Sequence, residues 1–455
     1  MSTAPVSATL FSYQVGFGDC FLLRFTYAGG ERRHMLIDFG TTGLRADLER
    51  SQMLKVAQDI EGKVRDLDPE ARLDVVVATH RHADHISGFA TKDGKGSGDV
   101  IRNLKPRIVL QPWTEAPEAE IDSLGPVSAG GRALTRLNSL KAMQLVAGKA
   151  LAYAKANAKS LPKGVADQLA FIGQDNLSNM SAVLNLQSMG PNVYVYHGCD
   201  AGLGAILPGI QVDVLGPPTL RQTDTIRKQR SRDKDEFWNL APQRFSDAVD
   251  EFASADSSLF PGFKSVKKGR LYTEHRWLAQ RLDEANGEML LGLVRALDNQ
   301  MNNTSVILLL RAGGKTLLFP GDAQIENWQY ALQLKLADRL ADVDLYKVGH
   351  HGSTNATPQG MWKRFSKKGG VGTTNRLTSV LSTMHGKHGK DEKNTEVPRR
   401  TLVSELKAQS NLLSTESLAA NVMCHIVEID LRAGVAKATA PRRRKPAAAT
   451  PLPAQ

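Results

Sequence analysis

The sequence predicts a layered α/β fold, and three observations carry that prediction. Residues 9–79 read in succession as three strands, a helix and a buried strand. Strand patterns resume after each of two long helix-rich stretches, which marks those stretches as insertions on a β core. A chain of 455 residues with 41% apolar and 23% charged side chains can bury one or two sizeable cores. That balance excludes a collagenous, disordered or disulfide-scaffold protein.

Residues 9–14 alternate with the period of a strand, and residues 20–27 form a second apolar run after the turn-like VGFGD. Residues 33–38 make a third strand that ends on Asp38 before Phe39-Gly40. Met53, Leu54, Val56, Ile60 and Val64 recur at helical spacing over residues 51–66. LDVVVATH then has the short β-branched run of a fully buried strand. The Ala-, Leu- and Lys-rich stretch at about 131–181 and the stretch at about 220–300 are helix-like; they place insertions at about 92–190 and 220–300 within a domain spanning 1–432. Strands return at PNVYVYHG and IQVDVLGPP, and SVILLLRAGGKTLLFPGD reads as a hairpin joined across residues 311–315. Residues 342–348, LTSVLST and, as the last strand, NVMCHIVEIDLR complete the set. Residues 433–455 carry Pro, Ala and Arg with no core-forming pattern, so a basic disordered tail is expected. No tandem repeat argues for a solenoid or propeller.

Lys and Arg number 58 against 47 Asp and Glu, a formal net charge of +11. Six of the positive charges (Arg432, Lys437, Arg442, Arg443, Arg444 and Lys445) follow the last acid, Asp430, and +11 less these six leaves +5 for the folded part. A diffuse excess of this size is compatible with a polyanionic partner without requiring one. Cys20, Cys199 and Cys424 form neither a paired framework nor a CxxC knuckle and read as buried small hydrophobes. MSTAPVSATLF has no cationic segment followed by an apolar core, and no apolar run approaches the roughly 18–20 residues of a membrane helix. A soluble cytoplasmic protein with no membrane partner is expected; a protein partner or homo-oligomer is compatible.

The chemistry concentrates in Thr79-His80-Arg81-His82-Ala83-Asp84-His85, where the buried strand runs out. Alternate side chains of an extended segment share a face, so His80 and His82 can point at one cation, with Asp84 and His85 reaching a second nearby. Neutral imidazole with carboxylate suits zinc, with manganese or iron as competitors.

This H-x-H-x-D-H arrangement resembles the metallo-β-lactamase superfamily, and other pieces follow in that family's order. Asp38 matches an acid that supports the metal-binding loop from beside the ions. Gly321-Asp322 matches the aspartate that bridges two metals, and His350-His351-Gly352-Ser353 the last histidine position. The fuller set (Val15 to Asp19, Leu36 to Gly40, Leu215 to Pro218, Asn302 to Ser305, Phe319 to Asp322 and Lys347 to Ser353) resembles the branch typified by the hydrolase domain of the competence protein ComEC. The resemblance implies a four-layer αββα metallo-β-lactamase sandwich with helical insertions and two divalent cations held by His80, His82, Asp84, His85, Asp322 and His351. Asp38, Asn302 and Ser305 would stand beside them.

The wider superfamily places another histidine before the hairpin, whereas here the neighbourhood is Met301-Asn302-Asn303-Thr304-Ser305. Asn302 or Asn303 would coordinate weakly or hold a water. His197 reads either as a replacement ligand or as a surface histidine at a strand end. Adjacent side chains of an extended segment point oppositely, so His351 is assigned to the metal and His350 to substrate, donating to a developing oxyanion. His385, Lys387 and His388 read either as a mouth loop holding a phosphate or as an exposed polar loop. His34, His275 and His425 read as structural or solvated.

Two cations bridged by Asp322 would lower the pKa of a bound water from about 16 toward roughly 7, with Asp84 orienting or deprotonating it. The leading expectation is therefore phosphodiester hydrolysis, most of all of nucleic acid. Cationic stretches at residues 227–232, 267–270 and 387–393 are available to track a backbone. The alternatives are hydrolysis of a small ester, lactone or phosphodiester, and a metal-bearing binding module without catalysis.

Overall fold

A computed structural model describes residues 4–116, 180–223, 302–353, 355, 357–389, 391, 395–432 and 436–439. The described strands form two mixed sheets. Strands β1 (Pro5–Tyr13), β2 (Cys20–Tyr27), β3 (Arg32–Phe39), β4 (Val75–Val77), β5 (Ile108–Pro112), β6 (Asn192–Val195), β13 (Cys424–Asp430) and β14 (Ala436–Thr439) make the first, in the order β14-β13-β1-β2-β3-β4-β5-β6. The second runs β12-β11-β10-β9-β8-β7. Its strands are β7 (Gln211–Gly216), β8 (Ile307–Ala312), β9 (Lys315–Phe319), β10 (Val343–Lys347), β11 (Thr378–Leu381) and β12 (Asn411–Ser414). Each sheet begins as an antiparallel meander and continues as parallel strands.

The period of two decides where the core sits. Leu10, Phe21, Leu23, Met35, Ile37, Val75 and Val77 of the first sheet share one buried cluster with Leu308, Leu310, Leu317, Phe319 and Val380 of the second. The intervening residues of the first sheet, Phe11, Leu22, Leu36, Val76 and Val109, join a second cluster. There they meet Val56 and Ile60 of α1 (Gln52–Val64), Ile101 of α3 (Ser97–Asn103) and Leu186 of α4 (Met180–Ser188). Ile307, Leu309, Leu318 and Tyr346 join a third, with Trp328 of α5 (Ile325–Leu332), Trp362 of α6 (Gln359–Arg364) and Leu406 of α7 (Arg400–Gln409).

Several expectations change. The segment 92–116 was expected inside a helical insertion, yet α3 and β5 lie there and β5 pairs with β4 and β6 of the first sheet. The hairpin loop is two residues rather than five: Ala312 pairs with Lys315, and Gly313 and Gly314 turn at φ 54° and 76°. NVMCHIVEIDLR is not the last strand, because β14 pairs beside it within the stretch 433–455. Residues 117–179, 224–301 and 440–455, with most of both insertions, His275 and the stretches 227–232 and 267–270, lie outside the described residues. No described helix is long and apolar enough to cross a membrane.

Candidate metal centre

Segments from both sheets reach the same end. Asp19 precedes β2, Asp38 lies near the end of β3, and residues 80–85 follow β4 into the short helix α2 (Ala83–Ile86). Asp322 follows β9, Lys347 closes β10, and His351 lies just beyond it. All but Asp19 lie at the carboxyl ends of strands with a parallel neighbour, where α/β sheets place their sites, and Asp19 joins them from the start of antiparallel β2. Two bonds tie the halves together. The Val306 N–H donates to the Thr79 carbonyl at 2.9 Å, and the Ser382 hydroxyl donates to the Gly18 carbonyl. A Cβ on Gly40 would lie 2.4–2.6 Å from backbone atoms of Ala83, Asp84 and His85, so only glycine lets this loop lie against α2.

Ligating atoms of Asp84, His85, Asp322 and His351, all buried, lie within 4.8 Å of one another. Asp19, Asp38 and His85 form an overlapping group. The Nε2 of His351 is 2.7 Å from Asp84 Oδ2 and 3.9 Å from Asp322 Oδ2. His85 Nε2 stands 3.1 Å from Asp322 Oδ2.

Each imidazole is oriented from behind. Asp38, in the left-handed region at φ 54°, accepts the Thr79 N–H and hydroxyl, both at 2.7 Å, and His85 Nδ1 at 2.8 Å. That bond assigns the proton to Nδ1 and turns Nε2 toward the cluster. His351 Nδ1 donates to the Ser382 carbonyl at 2.9 Å with the same effect.

Four buried carboxylates (Asp19, Asp38, Asp84, Asp322) face one buried ammonium, Lys347. The excess of negative charge decides the titration. Burial lowers His85 and His351, but the aspartates around them outweigh it and hold both imidazoles raised. Burial raises Asp84 and Asp322, but His85 first, joined by His351 at Asp84 and Lys347 at Asp322, holds them below the carboxylate range. Asp84 is therefore an ionised acceptor suited to coordinating or orienting rather than to proton storage. Asp84 Oδ1, Asp322 Oδ2 and His85 Nε2 are buried with no hydrogen-bond partner among the described residues. Buried polar atoms are seldom left so, and an anionic N/O set short of positive charge is what a divalent cation takes. The residues present fit the metal that the sequence implied.

Residues 13–94 match the model of the metallo-beta-lactamase superfamily. The matched span contains Asp19, Asp38 and the whole HRHADH stretch, whereas Asp322, Lys347 and His351 come from beyond it. No curated protein matches the chain.

Of the six expected ligands, Asp84, His85, Asp322 and His351 form the cluster, while His80 and His82 stand beside it. The His80 ring is 4.2 Å from that of His85, but its Nε2 is bonded to His82 Nδ1 at 2.9 Å. Thr79 spends its hydroxyl proton on Asp38, so His80 Nδ1 donates to Thr79 at 3.3 Å and its Nε2 accepts from His82. Ser305 Oγ accepts the Asp322 N–H at 3.3 Å. Asn302 is fully buried, and neither heteroatom of its amide is hydrogen-bonded among the described residues.

His350 and His351 do not lie on an extended segment, contrary to expectation. Both adopt left-handed conformations, φ 44° and 50°, in a tight turn. The separation itself is present: His351 is buried in the cluster, whereas His350 is half-buried, with Nδ1 against Ser353 Oγ at 2.8 Å and its N–H on Asp322 Oδ1 at 3.0 Å. His388 packs on Phe17 with ring centroids 5.4 Å apart, and Phe17 packs on His351 at 4.3 Å, which puts the 385–388 loop at the edge of the centre. His385 is exposed and its imidazole lies near Asp391, at 3.8 Å.

His197 is neither a ligand of the cluster nor a surface residue. It is buried, its Nδ1 donates to the Leu215 carbonyl at 2.6 Å, and it packs edge-on against Tyr330. Asp19 and Lys347 carried no assigned role in the sequence. The available signal was a lysine following Leu345-Tyr346 at the end of the strand in DVDLYKVG, where a buried charge is tolerated only when paired.

Proposed function

We propose that this chain is a metal-dependent hydrolase that cleaves phosphodiesters, with nucleic acid as its substrate class. The observation that carries the reading is the buried convergence of Asp84, His85, Asp322 and His351 from both sheets, with coordinating atoms left unpartnered. The proposal includes two divalent cations, zinc or manganese, as the resemblance of the ordered motifs to the metallo-β-lactamase superfamily implies. It also includes the four-layer αββα sandwich, supported by three apolar clusters: one shared by the sheets and one under each set of helices. The ordered motifs from VGFGD to KVGHHGS support a ComEC-like relationship and, with it, a polyanionic substrate.

Divalent cations bound here supply Lewis acidity and water ionised near neutral pH. The chain's own groups do the rest. Asp38 and Ser382 hold His85 and His351 as Nε2 donors. Asp84 stays ionised and orients water through Oδ1, which has no hydrogen-bond partner among the described residues. His350 and His388 line the edge, where they can donate to phosphate oxygens.

The test is elemental analysis followed by assays on single- and double-stranded DNA, on RNA, on bis-p-nitrophenyl phosphate and on a lactone. Wild-type protein is expected to carry metal and cleave polynucleotide, and Asp322→Asn is expected to fall to background. Equal rates for the two proteins, or turnover of the lactone alone, would overturn the assignment.

A further inference from the structure

We propose that Lys347, braced by Asp19, is a positioning residue of the metal centre. Its ammonium grips one oxygen of Asp322 so that the other alone faces the histidines. The inference rests on the metal-centre reading above and adds to it a residue pair, one ending the VGFGD motif and one opening KVGHHGS, to which the sequence assigned no role.

The Lys347 ammonium is held inside the protein by two hydrogen bonds and an ion pair. It donates to the Gly321 carbonyl at 3.0 Å and to Asp322 Oδ1 at 3.2 Å, and it pairs with Asp19 Oδ2. The His350 N–H reaches the same Oδ1 at 3.0 Å. Asp322 Oδ1 is thus doubly claimed, while Oδ2 has no hydrogen-bond partner among the described residues and stands 3.1 Å from His85 Nε2. The torsion that turns a carboxylate about its own axis is soft, so two donors on one oxygen decide which oxygen is presented.

A lone ammonium beside a dication site would repel the ion. Asp19 removes that objection by making the pair neutral, and it does more. Its Oδ1 lies 3.6 Å from His351 Nδ1 and its Oδ2 lies 3.7 Å from His85 Nδ1, behind both imidazoles of the cluster. Asp19 and Lys347 are completely buried, so water cannot substitute for either. The pair links the start of β2, the end of β9 and the end of β10, the three places from which the centre is hung.

The experiment uses cobalt(II) as the probe, with binding read by calorimetry and by the visible absorption of the bound ion. Lys347→Met is expected to weaken cobalt binding about 10- to 100-fold, the usual effect of removing a group that orients a ligand, and to change the absorption envelope. A lysine that merely filled space near the site predicts the opposite sign, since deleting a positive charge favours a dication. Binding as tight as or tighter than wild type, with an unchanged spectrum, would overturn the proposal. If Lys347→Met does not fold because Asp19 is left as an unpaired buried carboxylate, Asp19→Asn with Lys347→Met removes that charge and is expected to show the same loss. Wild-type protein that binds no cobalt would instead sink the metal-centre reading itself.

Discussion

Two buried histidines of this chain are pushed in opposite directions by what surrounds them. His85 sits among aspartates and is held raised, whereas His34 is lowered to about 4, by burial first and then by Arg24 and Arg32. His34 is 2% exposed and enters the folded state neutral. Unfolded, the same imidazole titrates near 6.5, so below that pH the unfolded chain binds a proton that the folded chain refuses. Stability from this residue is complete above pH 6.5, falls as pH drops toward about 4, and changes no further below it. The shift corresponds to about 3 kcal/mol. Urea midpoints of wild type and His34→Gln, compared from pH 7 to 4, are expected to show a steeper fall in wild type; parallel curves would refute the assignment. At this scale the sequence was legible where partners are close in the chain. Asp84 and His85 declare themselves within one HRHADH stretch. Asp19 and Lys347 do not, because each is explained only by the other, which lies more than 300 residues away in the chain.

Elements matter here for where they stop. The centre is assembled from residues just past strand ends, so the backbone of a connecting loop is as much part of it as any ligand. Gly40 and Gly314 separate the two kinds of loop. A methyl group on Gly40 meets the backbone of Ala83, Asp84 and His85, and must push the ligand-bearing turn aside. A methyl on Gly314 meets nothing within 4 Å and costs only the left-handed conformation at φ 76°, about 1–2 kcal/mol. Gly40→Ala is therefore expected to lose roughly tenfold or more in cobalt affinity, as for other changes that disturb ligand orientation. Gly314→Ala should lower the melting temperature while binding cobalt normally. Equal binding by both variants would contradict this. Strand ends are also where sequence reading was weakest. β4 is three residues, Val75–Val77, although the apolar run looked longer, and β5 and β12 went unseen. Short parallel strands are defined by the neighbours they pair with rather than by their own period, so the brief apolar run of β5 was not enough to mark a strand.

On the scale of the whole molecule, the candidate cluster takes Asp84 and His85 from the first sheet and Asp322 and His351 from the second. The sheets already share an apolar core, and a cation between them adds a polar rivet at one edge. Because its ligands meet only in the folded chain, the binding free energy becomes folding free energy. A metal present at 100 times its Kd stabilises the native state by about 2.7 kcal/mol. In a chelator, the urea midpoint of wild type should fall by the equivalent of that amount, and Asp322→Asn should be insensitive. The more telling measurement is hydrogen exchange. If the ion joins the sheets, chelation must release protection in both at once: at Leu36 and Ile37 of β3, and at Leu345 and Tyr346 of β10. A loss confined to the first sheet would mean that Asp322 and His351 do not hold the ion, and that the centre is built by residues 19–85 alone.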